Sequence, residues 1–271
     1  MVPHNKIHAV YFSSGTHFQY LLLSLKSLTR LDSPYLGNIS VYIDIHDPLS
    51  EDQKLILWRI SHQIQIRATH NIVGTGKDYI ISEITAFQEV SQEIHSHDYV
   101  MKVDSDIIFL DDDIFYQVLI SSNILVGHKE DRRPHFPYIQ WWCYFMRADS
   151  TPKLAELTED ILYEVARKIH PDKQEFSLYS YPEDAVIHSL FKKKTDKILF
   201  VSFMNFYSPI LRKKSEKNCL VHFTKTKYLM WIYFYWGEVL CNSIHTLLLP
   251  WNISLRLRKY IKRYTKTIQK S

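Results

Sequence analysis

Asp104 and Asp106, held apart by Ser105 alone, close an apolar run, Tyr99-Val100-Met101-Lys102-Val103, and the apolar pattern resumes at Ile107-Ile108-Phe109-Leu110. As a buried strand this run would deliver an acidic tip. Alternate residues of an extended chain point to the same side, so both carboxylates would converge on one cation while the small Ser105 keeps the approach open. Paired carboxylates suit a hard divalent ion: Mg²⁺ or Mn²⁺ takes one or two from the protein and completes its shell with water and substrate phosphate. That chemistry implies a nucleotide-diphosphate substrate. Aspartates also end strands and cap turns without any metal, so the surrounding elements must decide.

Those elements alternate. Ile7-His8-Ala9-Val10-Tyr11-Phe12 is β-rich and runs into the turn Ser13-Ser14-Gly15, after which Leu21, Leu22, Leu25 and Leu28 recur at helical spacing. A second strand, Ile39 to Ile43, closes on Asp44 and Asp47. Ser50-Glu51-Asp52-Gln53 starts a helix whose apolar face is expected to be Leu55, Ile56 and Ile60, leading to a third strand at Gln65-Ile66-Arg67. Beyond the Gly74-Thr75-Gly76-Lys77 loop, Ile80, Ile84, Phe87, Val90 and Ile94 stripe a helix that returns the chain to the acidic strand. Strand alternating with helix predicts an α/β fold, a mostly parallel central sheet covered on both faces. The Asp-x-Asp then sits at the carboxyl end of the fourth strand, where open α/β sheets collect ligands. Placement therefore favours the metal. Asp111-Asp112-Asp113 is expected instead to cap a helix from Ile114 to Ile120.

With 271 residues, 46% of them hydrophobic and 23% charged, the chain can bury one sizeable core. Six glycines and no Ser- or Pro-rich run argue against a flexible linker between independent domains. Cys143, Cys219 and Cys241 are odd in number and widely spaced, so neither a disulfide framework nor a zinc cluster is expected and a reducing compartment is. Residues Met1 to Lys6 carry no apolar signal-peptide core. The net charge of +4 is uneven: seven positive charges, from Arg256 to Lys270, follow the last acidic residue, Glu238, which leaves −3 on the rest.

Two strand-helix units, a mid-chain strand ending in Asp-x-Asp and a later mixed α/β half resemble the GT-A glycosyltransferases, in layout over roughly residues 6 to 230. The resemblance implies a nucleotide-diphospho-sugar donor, a UDP- or GDP-sugar, with Asp104 and Asp106 holding Mn²⁺ or Mg²⁺ against its diphosphate. The first two strand ends would line the nucleoside pocket, which nominates Tyr11, Ser13 and Asp44, and Lys77 joins them as a donor contact. Downstream, Leu220-Val221-His222-Phe223-Thr224-Lys225 is similar to the His-Phe-x-Gly segment of glycogenin-like and lipopolysaccharide galactosyltransferases. That likeness implies His222 as a third metal ligand and Lys225, standing where the family has glycine, as a diphosphate contact. Within Tyr181-Pro182-Glu183-Asp184-Ala185-Val186-Ile187-His188, the Glu-Asp pair resembles one that inverting members carry at a helix start. One carboxylate, Asp184 ahead of Glu183, would remove the acceptor hydroxyl's proton. A His-completed metal site is commoner in the retaining branch and the Glu-Asp helix in the inverting branch, so retention or inversion stays open.

Asn123 to Gly127 and Tyr138 to Arg147 read as further strands, with one of Trp141 or Trp142 lining the acceptor site, and Thr151-Pro152 opens a helix with Leu154, Leu157, Ile161 and Val165 on one face. Near the end, Tyr228 to Trp236 and Leu247 to Trp251 are rich in aromatics, yet no run is long and apolar enough to span a bilayer. Aromatics beside clustered Lys and Arg suit a helical extension lying in the interface of an anionic leaflet. Nucleic acid is not expected, because the positive charge is confined to one end. The expected organisation is a GT-A catalytic domain, 1–227, and a membrane-associating extension, 228–271, peripheral on the cytoplasmic membrane face. It would move a sugar to a glycan or lipid-linked acceptor. Two rivals are a non-catalytic membrane-associated module on the same fold and a phosphohydrolase of the haloacid dehalogenase type. The latter expects its Asp-x-Asp near the N-terminus and followed by Gly-Thr.

Overall fold

The structure, a computed structural model, describes residues 4–70, 77–129, 138–171, 183–201, 204–207, 219–223 and 227–236. Its strands are β1 (Ile7–Ser13), β2 (Leu36–Asp44), β3 (Ile64–Thr69), β4 (Tyr99–Asp104), β5 (Ile107–Phe109), β6 (Leu125–Lys129), β7 (Ile139–Arg147), β8 (Ile198–Phe200), β9 (Met204–Tyr207) and β10 (Leu220–Phe223). The α-helices are α1 (Phe18–Thr29), α2 (Glu51–Ile60), α3 (Lys77–Glu93), α4 (Asp113–Ile120), α5 (Glu159–Ile169), α6 (Glu183–Lys194) and α7 (Lys227–Trp236). Seven strands form the main sheet in the order β3-β2-β1-β4-β7-β6-β8, and β5-β10-β9 make a second. In the main sheet β7 alone runs against its neighbours. The mostly parallel α/β sheet expected from the alternation is present.

The chain leaves β1 for β2 and β3 on one side, then crosses back to place β4 on the other. Strand order thus reverses between β1 and β4, and such a reversal opens a crevice at the carboxyl ends of the two strands. Side-chain alternation divides the core accordingly. Ile7, Ala9 and Tyr11 of β1, with Tyr99, Met101 and Val103 of β4, pack towards α1, α2 and α4. Val10, Phe12 and Val100 pack towards α3, α5 and α6.

Several local expectations are corrected. The acidic pair does not lie on one strand: β4 stops at Asp104, Ser105 and Asp106 form a turn, and β5 joins the second sheet antiparallel to β10. Two bonds hold that turn, Ser105 Oγ donating to the Phe12 carbonyl (3.2 Å) and Phe223 N to the Asp106 carbonyl (2.9 Å). The two carboxylates are therefore set by a turn and not by strand alternation. Helix α2 begins where expected, with Ser50 and Gln53 forming a reciprocal capping box. Its buried residue is Leu57, with Ile60 beside it, whereas Leu55 and Ile56 are exposed. Leu57 and Ile60 are three residues apart and share a helical face; Leu55 lies on the opposite side and Ile56 at the edge of that face.

Helix α4 starts at the last of the three aspartates, Asp113, without a side-chain cap. Asp112 accepts instead from Ser33 Oγ (2.5 Å) and Asp111 Oδ1 from the Asp113 amide (3.2 Å). Helix α5 begins at Glu159 and not after Thr151-Pro152, because Thr158 caps the Ile161 amide (3.4 Å) and Glu159 and Asp160 fill the first turn. Ile161 and Val165 are buried as expected, while Leu154, in a separate 3-10 turn, is exposed. Met230 and Tyr233 of α7 pack with Leu23 of α1, Ile108 of β5 and Phe223 of β10, and the Arg30 guanidinium lies 5.3 Å over the Phe234 ring. The first helix of the expected extension is thus docked on the core; residues 237–271 lie outside the described residues.

Candidate active site

β1 and β4 end side by side, Phe12 pairing with Asp104, so the acidic tip stands at the strand-order reversal. Two residues back on the same face of β4 is Lys102, whose side chain is 1% exposed. Its ammonium lies 2.5 Å from Asp104 Oδ1 and 3.8 Å from Oε1 of the fully buried Glu83 on α3. Glu83 also accepts a hydrogen bond from the Tyr79 hydroxyl (3.1 Å). Helix α6 brings Glu183, its first residue, into the same field. Asp104 and Glu83 therefore flank one buried ammonium, and the charge of Glu183 acts on the same group.

Their protonation follows from that crowding. Burial opposes the charge on Lys102, but Asp104, Glu83 and Glu183 outweigh it and hold the ammonium protonated well above the usual lysine range. Burial pushes Glu83 up to about 8, against the pull of Lys102 and with repulsion from Glu183 added. Glu183 is raised too, by burial first, with Lys102 opposing and Asp104 adding to the rise. A carboxyl raised in this way is suited to accept a proton near neutral pH.

The nominated donor contacts divide. Ser13, at the end of β1, is buried, and its Oγ has no hydrogen-bond partner among the described residues. Tyr11 is fully buried with its hydroxyl 3.1 Å from Ser24 Oγ of α1. Its side chain packs in the core on the α1 side of the sheet. Asp44 ends β2 and accepts from the His46 amide (2.8 Å), which holds the turn that follows. Lys77 opens α3 and pairs at the surface with Glu159 of α5 (3.6 Å). Asp184 is buried, its Oδ1 2.8 Å from the Ala185 amide of its own helix. Trp142 is half-buried against the core, whereas the Trp141 side chain, the 74–76 loop and Lys225 lie outside the described residues.

The backbone of His222 pairs with Ile107, and the next residue donates to the Asp106 carbonyl, so β10 carries His222 up to the acidic turn. Its side chain is outside the described set. The loops above β1 and β2 are clasped to one another by Asp47, whose carbonyl accepts from Gly15 N (2.7 Å) and whose Oδ2 accepts from Thr16 N (2.9 Å). A Cβ at position 15 would lie 2.7 Å from both Asp47 Oδ1 and the Pro48 carbonyl, so this approach needs glycine.

Sequence reasoning missed Lys102, Glu83 and Tyr79. Two signals were available: Lys102 is the one charge inside an apolar strand run, and Glu83, three residues after Ile80, lies on the apolar stripe of α3.

No protein-family model matches the chain, and no curated protein sequence matches it. Solved structures do. The galactosyltransferase LgtC, in complex with donor and acceptor sugar analogs, is 11% identical with a TM-score of 0.52, over 81% of this chain and 87% of that one. Mouse xyloside xylosyltransferase 1 in its apo form is 11% identical with a TM-score of 0.54, over 81% of this chain and 98% of that one. The apo glycosyltransferase GlyE of Streptococcus pneumoniae TIGR4 is 12% identical with a TM-score of 0.52; 90% of this chain matches 64% of that one. With the strand-order reversal and the sheet described above, these likenesses show that the chain has the GT-A glycosyltransferase fold.

Proposed function

We propose that the protein is a metal-dependent glycosyltransferase that moves a sugar from a nucleotide-diphosphate donor to a glycan or lipid-linked acceptor. The observation that carries this reading is the place of the acidic pair: Asp104 ends β4 and Asp106 stands in the turn that follows, at the strand-order reversal between β1 and β4. Among the described residues no three metal-binding side chains lie together, and the third donor falls to His222. The donor set fits Mn²⁺ or Mg²⁺: two partly exposed carboxylates on a tight turn, with the His222 backbone paired to the residue after it. Asp104, Asp106 and His222 would hold the ion, whose chemistry is to neutralise charge on the departing diphosphate.

Each remaining role falls to this chain's own groups. Ser13 Oγ, buried and with no hydrogen-bond partner among the described residues, offers a hydrogen bond to the nucleoside end of the donor. Glu183, raised by burial and facing Lys102 and Asp104, takes the proton of the acceptor hydroxyl, and Asp184, tied to its own helix, supports the first turn of α6. Screening UDP- and GDP-sugars for Mn²⁺-dependent release of nucleotide tests the reading. Release that needs Mn²⁺ and is lost in Asp106→Ala supports it, and release indifferent to both overturns it.

A second observation concerns where the enzyme works. The outer edge of α7 exposes Trp231 (49%), Tyr235 (53%) and Trp236 (65%) beside one another, and the seven basic residues of 256–270 follow in sequence. Among the described residues no helix is long and apolar enough to cross a membrane. This aromatic edge would rest in the interface of an anionic leaflet, putting the crevice near lipid-linked acceptors. Trp231→Ser with Trp236→Ser should reduce flotation with phosphatidylglycerol vesicles; equal flotation of variant and parent would refute it.

A further inference from the structure

Lys102 is given no contact with donor, acceptor or metal above, yet it is placed at considerable cost. A lysine side chain is long and flexible and its ammonium strongly hydrated, so a buried one persists only when its charge is matched. Here it is 1% exposed, with Asp104 Oδ1 at 2.5 Å and Glu83 Oε1 at 3.8 Å. Asp104 stands at the last position of β4, its side chain 30% exposed, immediately before a turn. A carboxylate in that position would otherwise sample several rotamers in solvent. The ammonium beneath it is rooted in the sheet and bracketed by α3, so it provides a fixed point for one carboxylate oxygen.

We propose that Lys102 is a positioning residue, an internal strut held between Glu83 and Asp104 that aims the Asp104 carboxylate at the metal-bound donor. The inference rests on the metal reading above. It opposes a simpler view in which Lys102 only balances negative charge. The two differ in sign. A cation beneath a metal site repels the metal, so a lysine acting only as counter-charge would, on removal, leave metal binding tighter. A strut, on removal, leaves the ligand unaimed and metal binding weaker. Groups that orient metal ligands typically account for about 10- to 100-fold in affinity or activity.

The test is a titration of the full chain with Mn²⁺, reading free Mn²⁺ by electron paramagnetic resonance without donor or acceptor. Variants are Lys102→Met, Lys102→Arg and the double Lys102→Met/Glu83→Gln. The double variant removes the buried charge and its partner together, which keeps the fold testable if Lys102→Met alone does not fold. Expected are Mn²⁺ affinities about 10- to 100-fold below wild type for Lys102→Met and the double variant, with cooperative unfolding preserved in the double variant. Lys102→Arg, which keeps a charged donor, should recover most of that loss. Unchanged or tighter Mn²⁺ binding by the folded double variant overturns the strut. Failure of the wild type to bind Mn²⁺ overturns the metal reading itself, a separate result.

Discussion

Replacing Glu83 with glutamine isolates the electrostatics of the crevice floor. Burial pushes this carboxyl up to about 8 from an ordinary value of 4.5. Between those values the folded chain keeps a proton that the unfolded chain has lost, so the folded state binds more protons and stability falls as pH rises. The stabilisation is fully present below about pH 4.5 and is gone above about pH 8. Each pH unit in that window costs about 1.4 kcal/mol, so the whole span amounts to on the order of 4 to 5 kcal/mol, an upper bound with Lys102 3.8 Å away. The amide of the Glu83→Gln variant has no such proton to lose. The stability of the variant relative to wild type should therefore climb with pH, by a few kcal/mol between pH 5 and pH 8.5. Urea unfolding of both proteins at pH 5, 7 and 8.5 measures it. A difference that stays constant, or one in which the variant loses stability relative to wild type as pH rises, would show that Glu83 is an ionised partner of Lys102 and refute the reasoning.

Two other variants test the frame around the site. Asp98, buried at the amino end of β4, accepts from His8 (3.1 Å) and from the Lys6 amide (2.9 Å). Asp98→Ala strands both donors at about 1 to 3 kcal/mol each, so a loss of about 2 to 6 kcal/mol is expected in denaturant unfolding, with nucleotide binding at the opposite end of the sheet unchanged. Tyr11→Phe removes the bond to Ser24 and should cost about 1 kcal/mol without altering nucleotide affinity in a calorimetric titration. Lost affinity would mark Tyr11 as a pocket residue.

Much of the frame was legible because it rests on short-range pattern. The strands of β1, β2 and β4, the stripe of α3 and the capping box at Ser50 each declare themselves within a dozen residues. Asp104 was placed correctly at the end of the fourth strand for the same reason. What failed depended on contacts between distant segments. Nothing local tells Asp106 to leave the strand; the turn that holds it is fixed by Phe12 and by Phe223, residues far away in sequence. The Tyr11 hydroxyl meets Ser24, a contact that depends on how α1 crosses β1. Asp112 has a capping residue's type and place, yet Ser33 claims its side chain. Buried Lys102 and Glu83 were both visible as charges on apolar faces, and only the folded sheet brings them together beneath Asp104.

The most direct measurement is the thermal stability of wild type and Asp106→Ala with UDP or GDP, each with and without Mn²⁺. A ligand that binds only the folded state raises its stability, by about 2.7 kcal/mol at a hundredfold excess over Kd. If two aspartates at the β1–β4 crevice hold a metal against a sugar nucleotide, one nucleotide should raise the wild-type melting temperature only when Mn²⁺ is present, and the variant should show no rise. Protection without Mn²⁺, or equal protection of the variant, would contradict it.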